Sequence, residues 1–125
     1  MAHILIVEDD ELLAKALADG LGEAGFSVVV AGNADKADAA IVSKKPDLIY
    51  LDIMLPGESG YDILAKLKAD PDRQNIPVVM LTNLGQMSEV NKAMDYGAKD
   101  YIVKANIDLE KLVELTRSKY LTLST

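Results

Sequence analysis

Leu48-Ile49-Tyr50-Leu51-Asp52 is an unbroken apolar run closed by a carboxylate, with the turn signal Pro56-Gly57 just beyond it. The run is too short for an ordinary helix, and continuous apolarity without polar alternation marks a strand covered on both faces. The same form recurs along the chain. Ile4-Leu5-Ile6-Val7 leads into Glu8-Asp9, Val78-Val79-Met80-Leu81 into Thr82, and Tyr101-Ile102-Val103 into Lys104, while Val28-Val29-Val30 supplies a further apolar run. Five strands are expected, over residues 3–8, 26–31, 47–52, 77–82 and 100–103.

The intervening segments carry helical spacing. Leu13, Ala16, Leu17, Gly20, Leu21 and Ala24 form one stripe; Met87, Val90, Met94 and Gly97 form another, read as core packing. The last stripe holds Leu109, Leu112, Val113, Thr116 and Tyr120, so the fourth and fifth helices are expected over about 86–97 and 107–120. Asn33, Ser59 (with Asp62) and Asp108 stand as caps of the second, third and fifth helices. Gly97 stands where a helix ends in a left-handed turn, and Pro46 and Pro77 precede strands.

Strands alternating with helices imply right-handed crossovers and a doubly wound α/β domain with a parallel sheet; Val28-Val29-Val30 is taken as buried on both sides. In such a sheet the carboxyl ends share one edge, where open α/β sheets place their ligand sites. Glu8, Asp9, Asp52, Thr82 and Lys104 all gather there.

The 125 residues suit one domain, and half of them are hydrophobic, enough for a core. Twenty acids against 13 bases give a net charge of −7, a field that repels a phosphate backbone and argues against direct nucleic-acid binding. The absence of cysteine removes disulfides and thiolate metal sites and fits a reducing compartment. No signal-peptide core or membrane-spanning run is present, so a soluble cytoplasmic domain is expected.

Two carboxylates about 5 Å apart repel by roughly 3 kcal/mol at an effective dielectric near 20. A trio therefore calls for a proton or a cation, and an all-oxygen donor set favours a hard ion, Mg²⁺ before zinc or copper. Asp52 is the candidate nucleophile, able to take a phosphoryl group as an acyl phosphate. Lys104 can neutralise a phosphoryl oxygen and Thr82 can donate a hydrogen bond to it.

The stretches Val7-Glu8-Asp9-Asp10, Leu51-Asp52-Ile53-Met54-Leu55-Pro56-Gly57, Leu81-Thr82 and Asp100-Tyr101-Ile102-Val103-Lys104 together resemble the receiver domain of bacterial two-component response regulators, and the likeness spans essentially the whole chain. The resemblance implies a flavodoxin-like (βα)5 fold with strand order 2-1-3-4-5. It implies a receiver domain over residues 1–121, with 122–125 a tail or truncated linker. Asp52 becomes the phosphoacceptor; Asp9 a direct Mg²⁺ ligand; Glu8 a ligand through water; and the backbone carbonyl of Met54 completes the metal shell. Thr82 and Lys104 contact phosphoryl oxygens, Tyr101 is the switch aromatic, and Asp10 is a helix-start residue. The implied partners are a sensor histidine kinase or phosphotransfer protein and a downstream protein or fused output domain, with pairing through the fourth helix, fifth strand and fifth helix as an option. The implied function is a phosphorylation-controlled switch that supports its own phosphotransfer and dephosphorylation without a turnover substrate.

Two positions depart from the family pattern. Ala105 replaces the usual proline after the lysine, where the bond is often cis, so a different loop path or strain is expected. Asn83 stands where a small residue is usual. A Mg²⁺-dependent phosphatase using an aspartyl phosphate is the enzymatic rival, but Met54 occupies the place of its second aspartate. An inert receiver-like interaction module is the other rival, opposed by the intact set of polar residues. A Gly-rich dinucleotide loop is missing after the first strand, and His3 reads as structural.

Overall fold

The structure, a computed structural model, describes residues 2–83 and 87–121. The expected tail at 122–125 and residue 86 of the fourth helix lie outside them. Five strands form one parallel sheet: β1 (His3–Val7), β2 (Ser27–Ala31), β3 (Leu48–Asp52), β4 (Val78–Thr82) and β5 (Asp100–Val103). Their order is β2-β1-β3-β4-β5. Five α-helices alternate with them among the described residues: α1 (Glu11–Glu23), α2 (Ala34–Ser43), α3 (Gly60–Ala69), α4 (Met87–Asp95) and α5 (Leu109–Leu115). The strands fall within a residue of the expected positions.

The two-residue period of the strands divides the core into two layers. Leu5, Val7, Ile49, Leu51, Val78 and Met80 pack beneath α2, α3 and α4, whereas Ile4, Ile6, Leu48, Tyr50, Val79 and Leu81 pack beneath α1 and α5. This double cover explains why the inner strands read as continuous apolar runs. β2 does not share it. It is an edge strand, half-buried, with Val30 42% exposed, so Val28-Val29-Val30 is not buried on both sides.

The caps follow the sequence. Asp10 accepts the N–H groups of Leu12 and Leu13, Asn33 that of Lys36, Ser59 that of Asp62, and Asp108 those of Glu110 and Lys111. Gly97 takes φ 105° after α4, a conformation that a Cβ would strain. Two helical stripes are rotated from expectation. In α1 the buried alanine is Ala14 and Ala16 is exposed. In α4 the core face is Val90 and Ala93, while Met87 and Met94 are 48% and 38% exposed. The methionines are therefore not core packing, because the narrow contact of α4 with the sheet admits only one valine and one alanine. The fifth helix is also shorter than expected, since its last turn, Thr116–Tyr120, opens into a π turn.

Candidate functional site

β1, β3 and β5 end together, which brings residues 96 positions apart into contact. The Lys104 ammonium lies 2.8 Å from Glu8 Oε1 and 3.1 Å from Asp52 Oδ2. Glu8 extends the alternation of Ile4 and Ile6, and Asp52 that of Leu48 and Tyr50, so both acids point from one face of the sheet at its carboxyl edge. Glu8 remains in register past the strand, its N–H donating to the Ala31 carbonyl at 3.0 Å. Asp9 is exposed, yet one carboxylate oxygen each from Glu8, Asp9 and Asp52 lie within 4.8 Å of one another.

The loop after β3 is shaped for close approach. Asp52 Oδ1 accepts the Met54 N–H at 3.1 Å, and the Gly60 N–H donates to the Ile53 carbonyl at 2.7 Å. A Cβ on Gly60 would stand 2.0 Å from the Asp52 carbonyl oxygen and 2.9 Å from Ile53 Cα. Only glycine lets the start of α3 seat against the backbone of Asp52. This residue was missed in the sequence, where Gly60 is merely the glycine after a capping serine.

The electrostatics are those of too many acids for one base. The Glu8 side chain is 0% exposed and that of Asp52 2%. Glu8 Oε1 accepts from Lys104 and from the Asp10 N–H at 3.3 Å, while Oε2 is buried with no hydrogen-bond partner among the described residues. Burial pushes the Glu8 carboxyl up to about 7; Lys104 opposes this, and the neighbouring Asp52 adds to it. Burial alone would lower the Lys104 pKa, but its hydrogen bonds to Glu8 and Asp52 raise it, so the ammonium stays charged. Below about pH 7 a proton on Glu8 offsets part of this excess charge. An orphaned buried carboxylate oxygen, three converging acids and an all-oxygen donor set fit a hard divalent ion.

A pH dependence follows. The folded pKa of Glu8 lies above its ordinary value of 4.5, so between 4.5 and about 7 the native state holds more protons than the unfolded one. Stability is therefore fully present below that window and declines as pH rises through it, by up to about 3 kcal/mol. Urea titrations across this range in the presence of a chelator will show the decline, and Glu8→Gln will flatten it. An equal decline in Glu8→Gln would place its origin elsewhere.

The remaining expected residues are placed as follows. Thr82 is buried at the end of β4, one residue past the Asp52–Leu81 register pair, and its hydroxyl donates to the Asn83 carbonyl at 3.1 Å. Asn83 itself is exposed. Tyr101 is 37% exposed and Met54 56%. No peptide bond among the described residues is cis, the Lys104–Ala105 bond included. Lys104–Asn106 coil into a 3-10 turn that includes Ala105, closed by the Ile107 N–H on the Lys104 carbonyl at 3.3 Å. His3 lies at the opposite edge of the sheet. Its ring Nδ1 contacts Ser27 Oγ at 2.9 Å, its backbone N–H donates to Asp47 Oδ2, and burial followed by Lys44 lowers its pKa, as befits a structural residue.

The chain matches the family described as response regulator receiver domain over residues 4–117. The phosphate regulon transcriptional regulatory protein PhoB of Pseudomonas aeruginosa is 43% identical over 101 residues, which cover 81% of this chain and 44% of that protein. The chain thus spans less than half the length of that relative. The receiver domain of NtrX from Brucella abortus superposes with a TM-score of 0.87 at 31% identity, covering 97% of this chain and 99% of that one. A Mn²⁺-bound form of response regulator Rcp1 superposes with a TM-score of 0.84 at 27% identity, covering 100% of this chain and 98% of that one. Among the described residues, no helix is long and apolar enough to cross a membrane.

Proposed function

Because this chain belongs to the receiver domains of response regulators, whose family function is a phosphorylation-controlled switch, we propose that Asp52 is its phosphoacceptor. The observation that carries this reading is the Lys104 ammonium held between Asp52 and Glu8 at the carboxyl edge of the sheet. A carboxylate oxygen of Asp52 attacks the phosphorus of a phosphohistidine on a sensor kinase or phosphotransfer protein. A P–O bond forms as the P–N bond breaks, and the leaving imidazole keeps the electron pair. Lys104 neutralises a phosphoryl oxygen, and the Thr82 hydroxyl donates to another. Such transfer depends on positioning and charge, and Gly60 and the Met54 N–H hold Asp52 in place for it. Attack by water on the acyl phosphate later resets the switch.

Glu8, Asp9 and Asp52, with the Met54 backbone carbonyl, would hold a magnesium ion, whose charge offsets the acids and the incoming phosphoryl group. Phosphorylation adds charge and acceptor oxygens that draw Thr82 inward, and Tyr101 turns from its exposed position to follow. The surface of α4, β5 and α5 then shifts, and a downstream protein or output domain that favours one arrangement reads it. The lack of cysteine suits a cytoplasmic setting.

Incubation with Mg²⁺ and a small acyl phosphate, followed by intact-mass measurement, tests the proposal. One phosphoryl group per chain is expected on the wild type and none on Asp52→Asn. No adduct on the wild type, or an undiminished one on the variant, would overturn it. Turnover of a phosphate ester far beyond one equivalent would mark an enzyme instead.

A further inference from the structure

The strand that delivers Lys104 to the acceptor carries at its other end an acid the acceptor chemistry does not use. Asp100 opens β5, its Oδ1 accepting the Tyr101 N–H at 2.8 Å. Its Oδ2 accepts the Tyr120 hydroxyl at 2.8 Å and the Lys119 ammonium at 3.3 Å. Burial would raise the pKa of this carboxyl, but Tyr120, the Tyr101 N–H and Lys119 hold it below the ordinary value. Asp100 therefore ties β5 to the final turn of α5.

That turn has an unusual register with a visible cause. Thr116 Oγ1 donates to the Leu112 carbonyl at 2.6 Å, which commits the only hydroxyl proton of the threonine. The Tyr50 hydroxyl, 2.6 Å away on β3, must then donate to Thr116 Oγ1. The Leu112 carbonyl is shared between this hydroxyl and the Thr116 N–H, and the chain beyond widens until the Leu121 N–H reaches the Thr116 carbonyl at 3.0 Å. A π turn holds one residue more than an α turn, so the face that follows lags by about 100°. The lag seats Tyr120 inside the fold, 1% exposed and edge-on to Tyr50 at 6.2 Å and 76°. An α register would rotate Tyr120 off Asp100. A cavity of about 230 Å³, bordered by Asp100, Ile102, Ile107, Leu112 and Leu115, leaves room beside the turn for such a change.

We propose that Asp100 and Tyr120 form a catch joining the acceptor to the end of α5, with the π turn as the two-state element. β5 is the shorter of the two edge strands and among the described residues pairs only with β4, so it is freer to slide than the inner strands. Lys104 at one end follows the phosphoryl group, Asp100 at the other loses its aim on Tyr120, and the turn, freed of that bond, opens more often as it passes between π and α register. The path of the chain leaving α5 changes with it. This rests on the reading of Asp52 as phosphoacceptor. The coupling needs no unbroken wire, only a bistable turn biased from two ends.

Hydrogen exchange of residues 116–121 in the full chain, with and without excess acyl phosphate and Mg²⁺, tests the catch, with intact mass reporting the adduct. In the wild type, adduct formation is expected to speed exchange there by about tenfold, the scale of one charge-assisted hydrogen bond. Tyr120→Phe, which keeps the ring, and Asp100→Asn are both expected to show the fast exchange already without phosphoryl group and no further change with it, at wild-type adduct levels. An adduct on the wild type with unchanged exchange overturns the catch and leaves the acceptor standing. Wild-type exchange and response in Tyr120→Phe overturns it too. No adduct at all removes the acceptor reading itself.

Discussion

Gly60→Ala will destabilise the fold by about 3 kcal/mol or more and disable phosphoryl uptake with it. The added methyl falls 2.0 Å from the Asp52 carbonyl oxygen and 2.8 Å from its carbon, and both are backbone atoms that no rotamer change can move aside. Either α3 retreats and loses the 2.7 Å bond from Gly60 to Ile53, or the loop holding Asp52 shifts. Against a total stability of about 5–15 kcal/mol, such a loss will be plain in a urea midpoint at unchanged slope. Gly22 is the internal control. It lies in α1 with nothing from outside its own helix backbone within 4 Å of its would-be Cβ among the described residues, so Gly22→Ala is expected to stabilise by roughly 0.5–1 kcal/mol. Equal midpoints for the two variants would mean that the loop yields freely.

Lys104→Met will damage the protein in a different way. The substitution keeps most of the stem but leaves Glu8 and Asp52, both buried, facing each other without a counter-charge. Removing one partner of a buried ionic group costs about 3–5 kcal/mol. The loss will be greatest above pH 7 and smaller near pH 5, where Glu8 keeps its proton. Phosphoryl uptake should slow by on the order of 100-fold or more, as for loss of a charged donor at a transition state. Uptake within threefold of wild type would show that the ammonium does not touch the transferring group. Opposite responses at one cluster, with Glu8→Gln relieving strain and Lys104→Met adding to it, would mark acids retained for chemistry at the expense of stability.

Much of this was legible in the residues. The inner strands announce themselves because both faces are covered, and every helix cap that the sequence marked forms. The contact of Lys104 with Glu8 was legible only because each residue directly follows an apolar run, and parallel strands carry such positions to one edge. What escaped depends on neighbours that spacing does not reveal. Methionine spacing in α4 is helical, yet it cannot say which side of the stripe meets the sheet, and Val90 with Ala93 takes that place. Val28-Val29-Val30 reads like an inner strand, although only strand order makes it an edge. The need for Gly60 is a clash with the Asp52 backbone, and the seat of Tyr120 lies against Tyr50, whose hydroxyl meets Thr116, 66 positions away.

The separation of 96 positions between Lys104 and Glu8 also bears on synthesis at the ribosome. Chains emerge amino end first, so β1, β2 and β3 are available to pair while the counter-ion for Glu8 and Asp52 is still untranslated. Until residue 104 is made, neither acid can have its ammonium partner. The charge balance of the pocket is thus completed only when β5 pairs with β4 and Lys104 reaches both acids.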